Sequence, residues 1–449
     1  MRPGRGRAGG HPGGLGGAFW RFWSVELATE TGLGLAVIAL QTMVVLDLGG
    51  GATEVGWLSS ARFLPYVVLG LLVGAIVEGM RRRTVMIVSD LARTLVLGGL
   101  AVVWLAGGGA LWVLLLGAVL LGTASLVNDA ASQAFVPRLV DRARLLPAHQ
   151  RLDAGSNVAQ SAGPAASGAV IAWLGAPVSL LLAAVAHLVS AAVLLTLPPD
   201  ERAPRRSHGL GRAIAGGLRF VHRHPRLGPF ARWTHVWFLC NGAAMTLLVP
   251  LVLLELEAGA AGLGLAMGVL GAATLLGTAL SGVVAGRLDG RSSGDGRDAG
   301  GRRAAGPAAG RLGMARTIIL EHAVMPLSWG MVALAALLPL PAAAGLVLVL
   351  AGLAVTGVAM GLSNPSEMAL RQQATPDRMQ ARMNATMRTV NRAMIVVSAP
   401  LGGLLGDAIG IGPALAIVCG GFAVAAIGLA VSPLARVPRG SQPGPGSGG

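Results

Sequence analysis

The sequence predicts an all-α integral membrane protein: twelve transmembrane helices arranged as two pseudo-symmetric six-helix halves. Three observations predict it. The first is composition: 53% of the 449 residues are hydrophobic and 12% are charged, against about a quarter charged in a soluble chain, which must build a polar shell around each core. The second is a strict alternation of Arg-rich and Arg-free connections between apolar stretches. The third is an internal repeat.

A bilayer-spanning helix needs roughly 20 mainly apolar residues. Windows of that size fall at 22–46, 56–78, 84–106, 111–136, 148–174, 176–197, 230–256, 262–287, 313–338, 343–370, 379–405 and 411–433. Connections at 47–55, 107–110, 257–261, 339–342 and 406–410 hold Asp47, Glu54, Glu257 and Asp407 and no Arg. The alternate connections hold Arg81, Arg82 and Arg83; Arg138, Arg142 and Arg144; Arg202 through Arg226; Arg287 through Arg311; and Arg371 and Arg378. Under the positive-inside rule this predicts an even number of spans in the cell (inner or plasma) membrane, with both termini cytoplasmic.

Taken in order, 1–21 is a Gly/Arg-rich cytoplasmic arm without the apolar core of a signal peptide. The N-terminal six-helix half follows at 22–197. Residues 198–229 form a central cytoplasmic loop, in which Gly211 to Val221 places apolar residues at helical spacing beside Arg212 and Arg219, the pattern of an amphipathic interfacial helix. The C-terminal half spans 230–433 and contains a low-complexity cytoplasmic insertion at 290–311. The Gly/Pro/Ser-rich tail at 434–449 reads as disordered. A shift of 236 residues lays Asn128 on Asn364, Asp141 on Asp377, Pro164 on Pro400 and Pro177 on Pro413, and a shift of 208 lays Gly56 on Gly264 and Gly74 on Gly282. Such a parallel repeat of six-helix halves is an arrangement of secondary transporters.

The net charge of +15 comes entirely from Arg, with no Lys anywhere, which reads as the codon bias of a GC-rich genome. No stacking aromatics sit among the basic runs, so nucleic acid is not a partner. Cys240 and Cys419 lie in apolar runs without CxxC spacing, which argues against a disulfide framework or a metal site. The absence of a Gly-x-x-x-x-Gly-Lys-Ser/Thr loop disfavours a nucleotide-driven pump, and no His-Glu-x-x-His or Gly-x-Ser-x-Gly motif suggests an enzyme. No cofactor is expected.

Gly74-Ala-Ile-Val-Glu78-Gly-Met-Arg81-Arg82-Arg83 follows the second span. With the two halves, it resembles the major facilitator superfamily, whose pattern there is Gly-x-Leu-Ala-Asp-Arg-x-Gly-Arg-Arg; the resemblance covers about 20–435. It departs at Glu78, Gly79 and Arg81, and the second-half counterpart Gly282-Val-Val-Ala-Gly286-Arg287 lacks the acid. The resemblance implies a cytoplasmic gate that holds the halves together in the outward-facing state, with Glu78, Arg81, Arg82 and Arg83 in it. Gly155 and Gly163-Pro164-Ala-Ala-Ser-Gly168 on the fifth span resemble the antiporter motif of proton-coupled exporters in that superfamily. Physically, such spacing bends a helix and admits a close neighbour. Phe135-Val-Pro-Arg-Leu-Val-Asp141 and Arg62-Phe-Leu-Pro65 are similar to its macrolide-efflux and enterobactin-exporter branch.

An ionised group at a helix centre costs about 2.5–3.5 kcal/mol on insertion scales, so charges at membrane depth are functional candidates. Glu26 and Glu30 are four residues apart and share a face of the first span. Neutralising such a pair relieves both desolvation and mutual repulsion, which suits proton uptake and release or a cationic substrate. Arg62 on the second span is the expected partner of Glu30, and Gln41 and Asn241 are candidate cavity liners in opposite halves. Asp90, Arg93, Asp129, Asp153, Arg388 and Arg392 all fall in the cytoplasmic half and are expected to pair in the cytoplasmic gate. The scattered His187, His235, Glu321 and His322 read as hydrogen-bonded packing residues.

These observations predict a secondary active transporter, with proton-coupled efflux of an amphipathic small molecule (drug, macrolide-like or siderophore-like) by alternating access. A proton-coupled uptake permease is the alternative, and a non-transporting sensor or scaffold a more distant one. The expected partners are a small-molecule substrate, protons and membrane lipid, with the protein acting as a monomer.

Overall fold

The computed structural model describes residues 15–141, 144–199, 210–288 and 307–434. The expected arm up to residue 14, the low-complexity insertion up to residue 306 and the tail beyond residue 434 lie outside the described residues, as do the side chains of Glu78, Asp377 and Arg378, while the last residues of the expected insertion, 307–311, open a helix. Among the described residues every regular element is helical. In order these are α1 Gly17–Thr42, α2 Ala52–Val68, α3 Gly70–Glu78, α4 Arg82–Leu105, α5 Leu111–Leu139, α6 Leu145–Leu174 and α7 Ala176–Leu195. Then come α8 Leu210–Arg223, α9 Leu227–Pro250, α10 Gly259–Leu288, α11 Pro307–Leu337, α12 Ala342–Gln373, α13 Asp377–Ile409 and α14 Ile411–Ala430.

Ten of these, continued by the short turns that extend α1 and α9, are long and apolar enough to cross a membrane. The other two of the twelve expected spans are the α2–α3 pair and α6. The second span is not continuous: α2 ends at Val68 and α3 begins at Gly70, so the break at Leu69 falls between Pro65, which cannot donate an intrahelical bond, and a glycine of low helix propensity. Helix α6 carries Arg151, Asp153, Asn157, Gln160 and Ser161 from its second turn to just past its midpoint, which is why hydropathy alone passes it over. The amphipathic stretch of the central loop forms α8, which packs on α9 and α13. Large apolar side chains such as Leu95, Trp112, Val347 and Ile427 ring the outside uncovered, as expected where the solvent is lipid.

The repeat is visible in backbone detail. Helices α1 and α9, which open the two halves, each end in a π-helical turn, Met43–Asp47 and Leu251–Glu255, and these coincide under the 208-residue shift. Beyond each turn the chain enters left-handed conformation at equivalent positions, Gly49 (φ 65°) and Glu257 (φ 47°). The second site keeps the geometry although a side chain makes it strained. A single left-handed glycine joins α6 to α7 (Gly175, φ 83°) and α13 to α14 (Gly410, φ 91°). Packing repeats as well: α1 lies on α6 and α7 as α9 lies on α13 and α14, and α4 lies on α7 as α11 lies on α14. The halves meet along two seams, α2 with α13 and α6 with α10.

The buried apolar side chains show how those seams run. At the Arg-poor end one continuous core crosses both halves, from Leu35, Leu58 and Leu114 to Leu247, Trp329 and Phe422. At the Arg-rich end there are two separate cores, one around Phe19, Phe22, Val77 and Phe135 and one around Phe230, Ile318, Met383 and Leu429. The halves therefore share one apolar core at one end of the bundle, the fused end, and keep separate apolar cores at the other, the parted end.

Candidate transport site

Glycine makes the fused end possible. A Cβ at Gly56 of α2 would strike the Ala399 carbonyl of α13, and one at Gly403 of α13 would strike the Ala52 carbonyl of α2. The Asp407 carboxylate accepts the backbone N–H groups of Ala52 (3.1 Å) and Thr53 (3.0 Å), so the end of α13 caps the start of α2. Farther along the seam, Ser60 donates to the Val396 carbonyl at 2.6 Å.

The second seam is built from the antiporter-like motif. Gly155 receives the Trp23 indole, whose Nε1 donates to the Arg151 carbonyl at 3.0 Å. Gly163 meets Gly34 of α1 backbone to backbone, with Pro164 alongside, and Gly168 meets Gly264 of α10 in the other half. Ser167 donates to the Leu35 carbonyl at 2.9 Å, completing a helix wedged between α1 and the opposite half.

Toward the parted end, polar groups replace glycines. A cavity of about 290 Å³ opens between the halves, lined by Tyr66 of α2, Asp129 and Gln133 of α5, and Asn384, Arg388, Thr389 and Arg392 of α13. Tyr66, the single tyrosine of the chain, donates to Asp129 Oδ2 at 3.1 Å. The Arg392 guanidinium lies 3.6 Å from the centre of the Tyr66 ring, and the Arg62 guanidinium 5.0 Å from that of Phe63. With its amide turned to satisfy its neighbours, Gln133 accepts from Arg388 Nη1 at 2.8 Å and Nη2 at 3.3 Å. Gly122 of α5 lets the Arg62 backbone come close.

Glu26 and Glu30 stand on the α1 face toward this region. Ser132 of α5 donates to Glu26 Oε1 at 2.6 Å. Glu30 has Asp129, Arg93 and Arg62 as its electrostatic neighbours, with Gln160 in reach. Arg62 is thus near Glu30, but among the described residues the two form no direct ion pair.

Asp90 and Arg93 pair with each other, Nη1 to Oδ1 at 3.0 Å, inside the N-terminal half. The Asp90 carboxylate also takes the Ser190 hydroxyl at 2.6 Å and lies beside His187. Asp153 is exposed, with His149 one turn away. Asn241 Oδ1 is buried without a hydrogen-bond partner, and Gln41 is half-buried on α1. After the second span, Arg81 precedes the first turn of α4, Arg82 is buried, and Arg83 donates to the Leu194 and Leu195 carbonyls at 2.8 and 2.5 Å, at the C-terminal end of α7. The expected role of Glu78 falls on a side chain outside the described residues.

Sequence reasoning missed Tyr66, Gln133, and Ser190 and Thr29 around Asp90, and named His187 without its neighbour Asp90. Only Tyr66 carried a signal, as the chain's one tyrosine within a second span already marked by Arg62. Among the described residues no three of His, Cys, Asp and Glu come together as a metal site.

Two helical repeats joined along two seams, with a polar cavity where the seams part, define a membrane transporter rather than an enzyme. The sequence profile of the Major Facilitator Superfamily matches residues 22–315, well over half the chain, and the chain belongs to that family. It is 32% identical over 208 residues to the multidrug efflux pump Tap of Mycobacterium tuberculosis (strain ATCC 25618 / H37Rv), covering 43% of this chain and 48% of that protein. It is 31% identical over 215 residues to the Tap pump of Mycolicibacterium fortuitum, covering 46% of this chain and 52% of that one. The match thus spans about half the length of these curated relatives. In fold the chain is similar to the nucleoside transporter NupG, with a TM-score of 0.68 at 12% identity over 92% of this chain and 98% of that one. It is also similar to a bacterial homologue of the iron transporter ferroportin in an inward-facing state, with a TM-score of 0.67 at 14% identity over 92% and 97%.

Proposed function

We propose that this transporter is a proton-coupled efflux pump for amphipathic small molecules, working by alternating access in the cell membrane with both termini cytoplasmic. The observation that carries the reading is the distribution of charge across the parting seam: Glu26, Glu30 and Asp129 come from the N-terminal half, while Arg388 and Arg392 come from the C-terminal half. The family, the efflux-pump relatives and the antiporter-like wedge at Gly163 and Pro164 support it.

In this reading the parted, Arg-rich end is cytoplasmic, so substrate enters the cavity beside Tyr66 from the cell interior. Glu30 is the proton carrier, supported by Glu26. Closing the cytoplasmic end brings Arg388 and Arg392 against Asp129, the Glu78 to Arg83 segment takes its place in the gate, and the glycine-packed outer end opens in exchange. Asp153, Gln41 and Asn241 are assigned to the surrounding gate and cavity, and the protein acts as a monomer.

The test uses inside-out vesicles with an imposed pH gradient, a proton-sensitive dye and a panel of macrolides, dyes and siderophores. Compound-triggered proton release in the native protein, abolished in Glu30→Gln, is the expected result. Release that survives the substitution would move the proton carrier elsewhere. No release with any compound, from folded protein, would favour uptake or a non-transport role.

A further inference from the structure

A second buried network lies behind α1, away from the cavity, and the proposed cycle leaves it unused. Its centre is the Asp90 carboxylate, 0% exposed. Oδ2 accepts the Ser190 hydroxyl of α7 at 2.6 Å, and Ser190 stands 3.2 Å from the Thr29 hydroxyl of α1. Oδ1 accepts Arg93 Nη1 at 3.0 Å, and His187 Nδ1 of α7 lies 3.4 Å from the same oxygen without making a hydrogen bond. Two nitrogens thus approach one oxygen, and only one of them is bonded to it.

We infer that His187 is a positioning residue for the α1 carboxyls: a proton on its ring takes over Asp90 Oδ1 and sends the Arg93 charge toward Glu26 and Glu30. The inference rests on the reading of Glu30 as the proton carrier.

The charge balance gives the direction. Asp90 and Arg93 are neutral together, and a proton on His187 leaves one carboxylate facing two cations in a buried space. One cation must leave or find another anion. The imidazolium is held by a new charge-assisted bond to Oδ1. Arg93 already has Glu26 and Glu30 as electrostatic neighbours, so it is the cation that moves. The charges acting on His187 are those of Asp90 and Arg93, both on α4. From α1 it is faced by Gly32, where an added Cβ would crowd its Nε2, and by Thr29 through Ser190.

In the step itself, His187 Nδ1 accepts a proton and donates to Oδ1, and the bond from Arg93 Nη1 to Oδ1 breaks. Arg93 then pairs with the carboxyl of Glu26 or Glu30, and the proton which that carboxyl held leaves for cavity water. One proton enters and one leaves, with no change of oxidation state.

The test needs no transported compound. Full-length protein in lipid nanodiscs is acidified and its guanidinium infrared bands are followed, with the Arg93 band assigned by its loss in Arg93→Lys. The expected result is a shift of that band in the native protein, lost in His187→Gln and retained in Ser190→Ala, since the Ser190 hydroxyl reaches Oδ2 and Thr29 but not Oδ1. His187→Asn serves the same purpose should His187→Gln fail to fold. A shift that persists without the imidazole, or no shift in the native protein, overturns the inference. In vesicles, the pH profile of exchange should move by about one unit in His187→Gln, whereas a purely structural tie would lower protein yield at an unchanged profile. A band shift in the native protein that is lost in His187→Gln, together with failure to find any compound-triggered proton release, would sink the transport reading and leave the Arg93 switch standing.

Discussion

Each half of the molecule buries a carboxylate beside a histidine, and the construction differs. In the N-terminal half, Asp90 gathers Arg93 from its own helix, His187 and Ser190 from α7 and, through Ser190, Thr29 from α1. In the C-terminal half, Glu321 and His322 are sequence neighbours on α11, Oε2 to Nδ1 at 2.5 Å, with Glu367 of α12 nearby accepting the Ser363 hydroxyl at 3.3 Å. The first network ties three helices around a permanent cation, while the second lies within two. The repeat explains the frame but not the chemistry. Under the 208-residue shift, Glu26 and Glu30 of α1 fall on Thr234 and Phe238 of α9, and under the 236-residue shift Arg388 and Arg392 fall on Leu152 and Ser156. Backbone symmetry has been kept while, around the cavity, the acids Glu26, Glu30 and Asp129 come from the N-terminal half and the guanidinium groups come from both, Arg62 on one side and Arg388 and Arg392 on the other. A cycle that rocks two similar bodies against each other needs only the shared backbone, which leaves the charges free to differ.

The largest expected effect tests whether the Asp90 network is the more demanding of the two. Asp90→Ala strands the buried Arg93 cation and should cost about 3–5 kcal/mol. Glu321→Gln keeps a hydrogen-bonding side chain beside His322 and should cost about 0.5–1.5 kcal/mol. Thermal unfolding of the purified proteins measures both, and equal losses would erase the distinction between the halves. Next in size is the fused end of the seam. Gly56→Leu forces a side chain into the Ala399 backbone and should penalise this state by about 1–3 kcal/mol. Labelling of a cysteine placed by Asn384→Cys in the cavity should then slow, and Gly98→Leu, where an added Cβ meets nothing, should leave it unchanged. Smaller still is Tyr66→Phe, which keeps the ring under Arg392 and removes the bond to Asp129. It should cost about 0.5–1.5 kcal/mol in melting experiments, and a null result would show that stacking alone holds Arg392 in place.

Spans and repeat were legible because both are written in local composition: the windows at 84–106 and 411–433 differ from α4 and α14 by only a few residues at either end. The break at Leu69 was less visible, since one glycine in an apolar run weakens a helix without announcing where it stops. The surroundings of Asp90 were the least visible. Its i, i+3 spacing to Arg93 could be read, but His187, Ser190 and Thr29 come from distant stretches whose rotation about their own axes the pattern does not reveal. In a soluble helix the apolar face points inward, which fixes that rotation. In lipid both faces are apolar, so hydropathy places a residue in depth and leaves its neighbours open. Tyr66 and Gln133 escaped for the same reason.

The entrances to the two halves supply the last and smallest contrast. Helix α1 begins at Gly16 (φ 82°) with no side-chain cap. Helix α9 begins under His224, whose Nδ1 accepts the backbone N–H groups of Arg226 and Leu227, both at 3.2 Å. That role requires a neutral ring, and burial, then the nearby Arg226 charge, hold the His224 imidazole below the ordinary value of 6.5. The unfolded chain therefore takes up this proton first. The contribution of His224 is complete above pH 6.5 and declines as the pH falls below it toward the lower folded value. In melts at a series of pH values, His224→Ala should be slightly less stable than the native protein at pH 7.5, with the gap shrinking at pH 5.5 as protonation removes the cap from the native protein as well. A gap that stays constant with pH would mean that the ring only packs there, and would leave acid sensitivity to the buried network of the N-terminal half.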